Sequence, residues 1–167
     1  DNAKVVKDLV KDTIMGANST LKNEFGIISM NDVDYIERLS LLERYLVSPD
    51  LLRHYKIGSV LVNKEETISI LVNEEDHIRI QAMQAGLNLE KAYDTASGIA
   101  FHLEKKLPVS YHEKFGFLTS CPTNTGTGLR ASVIMHLPGL AITRRIPQVI
   151  EKIQKMGYSV RGYYGEH

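Results

Sequence analysis

Tryptophan is absent from this sequence, cysteine occurs once, and the net charge is zero. A single thiol closes no internal disulfide, which excludes a disulfide-stapled secreted scaffold. No apolar run reaches the ~20 residues that span a bilayer, and no stretch has the pattern of a secretory leader. A reducing cytoplasm is therefore the expected compartment, where the sequon Asn18-Ser19-Thr20 is a chance match. The 20 Lys+Arg balance the 20 Asp+Glu, so bulk charge does not drive binding to nucleic acid or to a membrane surface. Any positive field must be local. Repeats and low-complexity tracts are missing as well. No Cys/His set has zinc-ligand spacing, and His54, His102, His112 and His136 read as surface or structural residues. The Gly-rich stretch is not a Walker loop, since no Gly-Lys-Ser/Thr follows it, nor is it a dinucleotide fingerprint.

What is present suits a single soluble domain. The chain has 167 residues, 43% of them hydrophobic, enough for a real core. Apolar spacing predicts a helix over 5–14, with Val6, Leu9, Val10 and Ile14 on one side. A short strand is expected over 25–29. A second helix follows, capped by Asn31 or Asp32 and carrying Ile36, Leu39, Leu42 and Leu46; Ser48-Pro49-Asp50 marks its end. The period then changes. Segments 59–63 and 67–72 read as a hairpin, and a third strand runs over 77–85. Residues 89–106 are the clearest helix, with Asn88 as its cap and Leu89, Ala92, Tyr93, Ala96, Ile99, Ala100 and Leu103 in one stripe. Strands are expected over 109–112, 116–120, 129–137 and 158–162. A last helix carries Ile146, Val149, Ile150, Ile153 and Met156 and stops at Gly157. The resulting fold class is α+β: a mostly antiparallel sheet with helices packed on one face.

Three short runs carry the chemistry. They are Asn73-Glu74-Glu75-Asp76-His77-Ile78-Arg79-Ile80, the loop from Ser120 to Val133, and Val160-Arg161-Gly162-Tyr163-Tyr164-Gly165-Glu166-His167. Strand alternation puts Arg79, Arg130 and Arg161 each opposite an apolar face. If the three strands are neighbours, the arginines converge into a cationic patch whose forked donors match phosphate oxygens. For one arginine alone, a solvated polar face is the commoner arrangement. Glu75 and Glu166 are the carboxylates that a cationic, nitrogen-rich acceptor would need. A guanidinium has delocalised lone pairs and a pKa above 12, so it attacks phosphorus poorly unless carboxylates aim one nitrogen and take its proton. At roughly 4 Å and an effective dielectric near 20, each such pair contributes about 4 kcal/mol of raw attraction before desolvation. Taken alone, Glu74-Glu75-Asp76 is a solvated turn and Cys121 a small buried residue. Asn124, Gly126 and Gly128 lie in a loop that would approach the phosphates, the glycines because they permit close backbone approach.

These runs resemble the signature blocks of the ATP:guanido phosphotransferase family, which includes arginine and creatine kinases. The block Cys121-Pro122-Thr123-Asn124-Thr125-Gly126-Thr127-Gly128-Leu129-Arg130-Ala131-Ser132 is long and specific, and the similarity is clearest over 41–167. The branch it is most similar to is the bacterial protein-arginine kinases. That rests on Val72 to Gln81, on Gly126 to Leu129 and on Met135-His136-Leu137-Pro138. The lack of tryptophan fits too, because phosphagen kinases usually carry one beside the Asn-Glu-Glu-Asp run. The resemblance implies the family's catalytic domain, truncated at both ends, with ATP and Mg2+ as nucleotide and metal. It implies that Glu75 and Glu166 hold and deprotonate the guanidinium with Cys121 beside it. Arg79, Arg130 and Arg161 would grip the nucleotide phosphates. The implied role is phosphorylation of arginine in proteins, marking them for degradation in a stress response. Implied partners are arginine-containing protein substrates, an activator protein, protease machinery and a second copy in a homodimer, with no direct nucleic-acid or membrane contact. Three departures stand out. The upstream Ser-Arg-x-Arg element has no counterpart, the chain ends at His167, and Tyr45 stands where relatives often have a histidine near the nucleotide base. Two alternatives remain: a small-molecule phosphagen kinase acting on free arginine, and a non-catalytic adaptor that binds nucleotide or phosphoarginine.

Overall fold

A computed structural model describes residues 2–162. The chain divides into two compact units, residues 1–131 and 132–167. The first unit is built on a four-stranded antiparallel meander. Its strands are β1 (Phe25–Ser29), β2 (Ser59–Asn63), β3 (Ile68–Val72) and β4 (Ile78–Ala82), in that spatial order. Register is set by pairs such as Ile27 with Leu61, Leu61 with Ile70, and Ile70 with Ile80. Asn63 shapes the β2–β3 turn: its Oδ1 accepts from the N–H groups of Thr67 at 2.9 Å and Ile68 at 2.7 Å.

The helices cover both faces of this sheet, where the hairpin pattern had suggested one. On one face, Leu61, Ile70 and Val72 pack with Val10 and Ile14 of α1 (Asn2–Met15) and with Ile99 and Leu103 of α4 (Leu89–Glu104). On the other, Val60 and Leu71 meet Leu41 of α2 (Tyr35–Glu43), Leu51 of α3 (Pro49–Arg53), and Met30, Leu46 and Val47. The physical reason lies in β2 and β3 themselves. Val60 and Leu61, and Ile70, Leu71 and Val72, are apolar at consecutive positions and all buried, so each strand offers an oily surface in both directions.

Local chemistry shifts several boundaries. Asp34, rather than Asn31 or Asp32, caps α2, its Oδ1 accepting from Glu37 N–H at 2.8 Å. Ser48-Pro49-Asp50 does not end α2, which already stops at Glu43 with Arg44 as its cap; it starts α3, with Ser48 Oγ accepting from Leu51 N–H at 3.0 Å and Pro49 in the first turn. Asn88 precedes α4 but makes no side-chain cap; its amide donates back to Ala85 C=O at 2.8 Å.

The strands expected over 109–112 and 116–120 contract to a two-stranded hairpin, β5 (Tyr111–His112) and β6 (Gly116–Phe117). Segment 129–137 forms no strand, and neither does 158–162. Alternating side chains define a face, but a strand also needs a second strand to pair with its N–H and C=O groups, and no described strand pairs with either segment. The second unit contains α5 (Pro138–Ile142) and α6 (Ile146–Lys155). α6 begins at the expected place and ends before Gly157, which takes a φ of 88°. Its stripe of Val149, Ile150 and Ile153 is half-buried, while Ile146 and Met156 are exposed.

Candidate active site

The turn between β3 and β4 carries the carboxylates. It is tight because Asn73 adopts a φ of 59°, its N–H donating to His77 C=O at 3.0 Å, and Glu74 N–H donates to Asp76 C=O at 3.1 Å. Asparagine tolerates this left-handed conformation better than most residues. Its buried side chain also anchors the turn from below, Nδ2 donating to Ala3 C=O at 2.8 Å.

Within the turn the three acidic residues play different parts. Glu74 points inward, with 3% of its side chain exposed, and accepts from Arg79 at 2.9 Å and from the Ser48 hydroxyl. Glu75 points outward and is exposed; no hydrogen bond from a described residue to its carboxylate is found, while its N–H donates to Glu74 Oε2 at 3.1 Å. Asp76 reaches across 44 positions of sequence, its Oδ1 accepting from the backbone N–H of Ser120 at 2.6 Å.

That last bond brings the cysteine loop to the same turn. The loop leaves β6 and doubles back, so that Phe117 pairs with Gly126 through N–H···O bonds of 2.8 and 3.1 Å. Gly116, at a φ of 77°, has no room for a side chain, since a Cβ there would lie 2.3 Å from Gly126 O. Thr119 Oγ1 donates to Cys121 C=O at 2.7 Å and lies 3.0 Å from Thr125 Oγ1. Cys121 is half-buried and opens a 3-10 turn over Pro122–Asn124, with its Sγ 2.9 Å from Thr123 Oγ1. Asn124 N–H closes that turn on Cys121 C=O at 3.0 Å. Gly126 and Gly128 both take positive φ, 124° and 61°.

Strand alternation describes only one of the three arginines. Only Arg79 lies on a strand; it is 40% exposed and tied to Glu74. Arg130 is exposed on the extended segment after the loop, and Arg161 belongs to the second unit. Glu166 lies outside the described residues. Nor is β4's polar side simply solvated: Gln81 donates to Ser69 Oγ at 3.0 Å and to Tyr45 C=O at 3.3 Å. Tyr45 itself sits at a φ of 59° after α2. A depression of about 340 Å³ over β1 and β2, lined by residues such as Gly26, Arg44 and Glu66, includes no expected site residue. His102 serves structure, with Nε2 3.2 Å from Thr13 C=O.

Ser48, Glu74 and Asp76 were not expected from the sequence as functional supports. Their acidic and hydroxyl character was visible, but the inward turn of Glu74 and the reach of Asp76 are tertiary facts. Among the described residues, no three His, Cys, Asp or Glu side chains converge on a metal site. A magnesium ion suits this donor set only as a phosphate-held ion, because it keeps several waters and needs few protein oxygens.

The model of the ATP:guanido phosphotransferase C-terminal catalytic domain matches residues 5–167, and the chain belongs to that family. Among curated proteins it is 43% identical, over 99% of its length, to a protein-arginine kinase of Caldanaerobacter subterraneus subsp. tengcongensis, of which it covers 49%. It is 44% identical to the protein-arginine kinase of Bacillus cereus strain G9842, covering 47% of that chain. The chain thus spans about half the length of the curated relatives it matches. Among solved structures, the substrate-free duplicated taurocyamine kinase from Schistosoma mansoni matches with a TM-score of 0.76 at 27% identity, over 99% of this chain and 24% of that one. No described helix is long and apolar enough to cross a membrane.

Proposed function

We propose that this chain is part of the catalytic domain of a protein-arginine kinase, which moves the γ-phosphate of ATP onto arginine side chains of proteins. One observation carries the reading: Glu75 presents an exposed carboxylate from a turn that the Asp76–Ser120 bond ties to the Cys121 loop, in a chain 43–44% identical to proteins of that name. In this reading Glu75 and Glu166 hold the guanidinium fork and Cys121 lies beside it. One guanidinium nitrogen forms a bond to the γ-phosphorus, the bond from that phosphorus to the ADP oxygen breaks, and the nitrogen's proton passes to a carboxylate. Catalysis of this kind is positioning and charge stabilisation. Arg79, Arg130 and Arg161 would neutralise phosphate charge, with Asn124, Gly126 and Gly128 lining the approach. Magnesium, bound with the nucleotide, would supply further neutralisation of phosphate oxygens.

The cellular setting is part of the same proposal: a cytoplasmic enzyme that marks proteins for degradation under stress, working with an activator and protease machinery, and dimeric as family members often are. A phosphagen kinase acting on a free guanidino compound is the second reading, favoured by the likeness to a taurocyamine kinase. The test incubates the full-length gene product with magnesium ATP and an unstructured arginine-containing protein, with free arginine in a parallel tube. Sites are mapped by mass spectrometry without acid, since the phosphorus–nitrogen bond is acid-labile. Phosphoarginine on the protein alone supports the first reading. Product from free arginine alone moves the assignment to the second, and nucleotide binding without transfer leaves the non-catalytic adaptor.

A further inference from the structure

The path from Glu75 to Cys121 is short and runs through one hydrogen bond. Glu75 is followed by Asp76, Asp76 Oδ1 accepts from Ser120 N–H at 2.6 Å, and Ser120 is followed by Cys121. Each side of that bond is stiff. On the turn side, Asp76 C=O takes Glu74 N–H at 3.1 Å, and Asn73 N–H fastens to His77 C=O. On the loop side, Thr119 clamps Cys121 C=O and meets Thr125, and Phe117 pairs with Gly126. No residue from 109 to 131 is buried, so the loop lacks a hydrophobic footing of its own. A carboxylate accepting from a backbone N–H is a charge-assisted bond, stronger and more directional than a neutral one. It is the contact that can fix one stiff piece against the other.

We propose that Asp76 is a positioning residue. Its carboxylate latches the Cys121 loop to the Glu75 turn and sets the separation between the two groups that face a substrate guanidinium. The part of this that concerns substrate rests on the kinase reading above; the latch itself does not. A latch of this kind acts on the guanidino substrate and leaves the nucleotide largely untouched.

The experiment compares full-length wild type, D76A and D76N. D76N retains an acceptor oxygen without the charge, so it should rescue in part. The first readout is alkylation of Cys121 by iodoacetamide, followed on its own peptide by mass spectrometry. D76A is expected to change that rate by about fivefold or more, and D76N by less than half as much on a logarithmic scale. The second is the kinetic split: KM for an arginine-containing protein rises about tenfold in D76A while KM for ATP stays within about twofold. Equal alkylation rates in wild type and D76A would overturn the latch, as would equal rises in both KM values. A third readout needs no variant. The Ser120 amide of the wild type should exchange with deuterium at least about tenfold slower than an unprotected amide, and an unprotected Ser120 overturns the proposal even if D76A does not fold. If wild type transfers no phosphate to either acceptor, the kinase reading fails, and the thiol and exchange measurements still decide the latch.

Discussion

Strand β4 and segment 129–137 carry the same pattern and meet different fates. Both alternate apolar and polar residues, and both place an arginine opposite the apolar side. In β4, Ile78 and Ile80 reach the core while Arg79 pairs with Glu74, because β3 lies alongside with Leu71 opposite Arg79. In 129–137 the same alternation gives no strand, and Leu129, Val133, Met135 and Leu137 are exposed. Periodicity says which side chains share a face. Only a bonded neighbour makes that face part of a sheet. The same contrast separates two arginines proposed to bind the same phosphates. The position of Arg79 is fixed by its ladder, whereas no strand fixes that of Arg130.

The largest effect should come from the fixed region, at the residue it displays. In the full-length protein, Glu75→Gln is expected to lower phosphoryl transfer by about 10²–10⁴, the range for loss of a positioned proton acceptor. Its melting temperature should stay near wild type, because the side chain is exposed and bonded to no described residue. Transfer at the wild-type rate would remove Glu75 from the site and with it the proposed mechanism.

Next comes the packing difference between the two units. Ile70 is fully buried in the sheet, so Ile70→Ala should cost about 2–5 kcal/mol in urea unfolding of this chain. Met156, 71% exposed after α6, should tolerate alanine within about 0.5 kcal/mol. A comparable loss at Met156 would show that the second unit buries its apolar stripe in solution, and the comparison would dissolve.

Glu74→Ala tests the support beneath Glu75. It leaves the Arg79 guanidinium and the Ser48 hydroxyl without their acceptor. Full loss of a buried ion pair would be larger, but Arg79 is 40% exposed and water recovers part of the difference. A stability loss of about 1–3 kcal/mol is expected, measured by denaturant unfolding. An unchanged unfolding curve would show that the inward carboxylate holds nothing.

Much of this was legible in the sequence, and the illegible part has a common cause. α1, β1, β2 and α6 follow from apolar spacing within a dozen residues, and β1 and β2 fall on the expected residues. Glu75 and Cys121 stand out through the runs that contain them. Even the two-sided burial of the sheet was written in Ile70-Leu71-Val72, a continuous apolar run that a half-exposed strand does not need. By contrast, the bond from Asp76 to Ser120 joins residues 44 apart, and the inward turn of Glu74 depends on a serine 26 positions earlier. Local pattern cannot encode a partner that distant. It can only show that a residue is able to take one.

The smallest expected effect bears on the same limit at a helix end. Asn88 and Asp34 both precede helices and both belong to the residue types that cap them. Asp34 does cap, with its carboxylate on Glu37 N–H, and alanine there should cost about 1 kcal/mol. The Asn88 amide instead donates to Ala85 C=O on the exposed approach to α4, so the first turn of that helix gains nothing from it. Asn88→Ala should therefore cost no more than a few tenths, about 0.5 kcal/mol at most, in the same unfolding measurement. A loss equal to that of Asp34→Ala would mean that the Asn88 side chain turns to the helix in solution, and that residue type was a sufficient guide to the cap of α4.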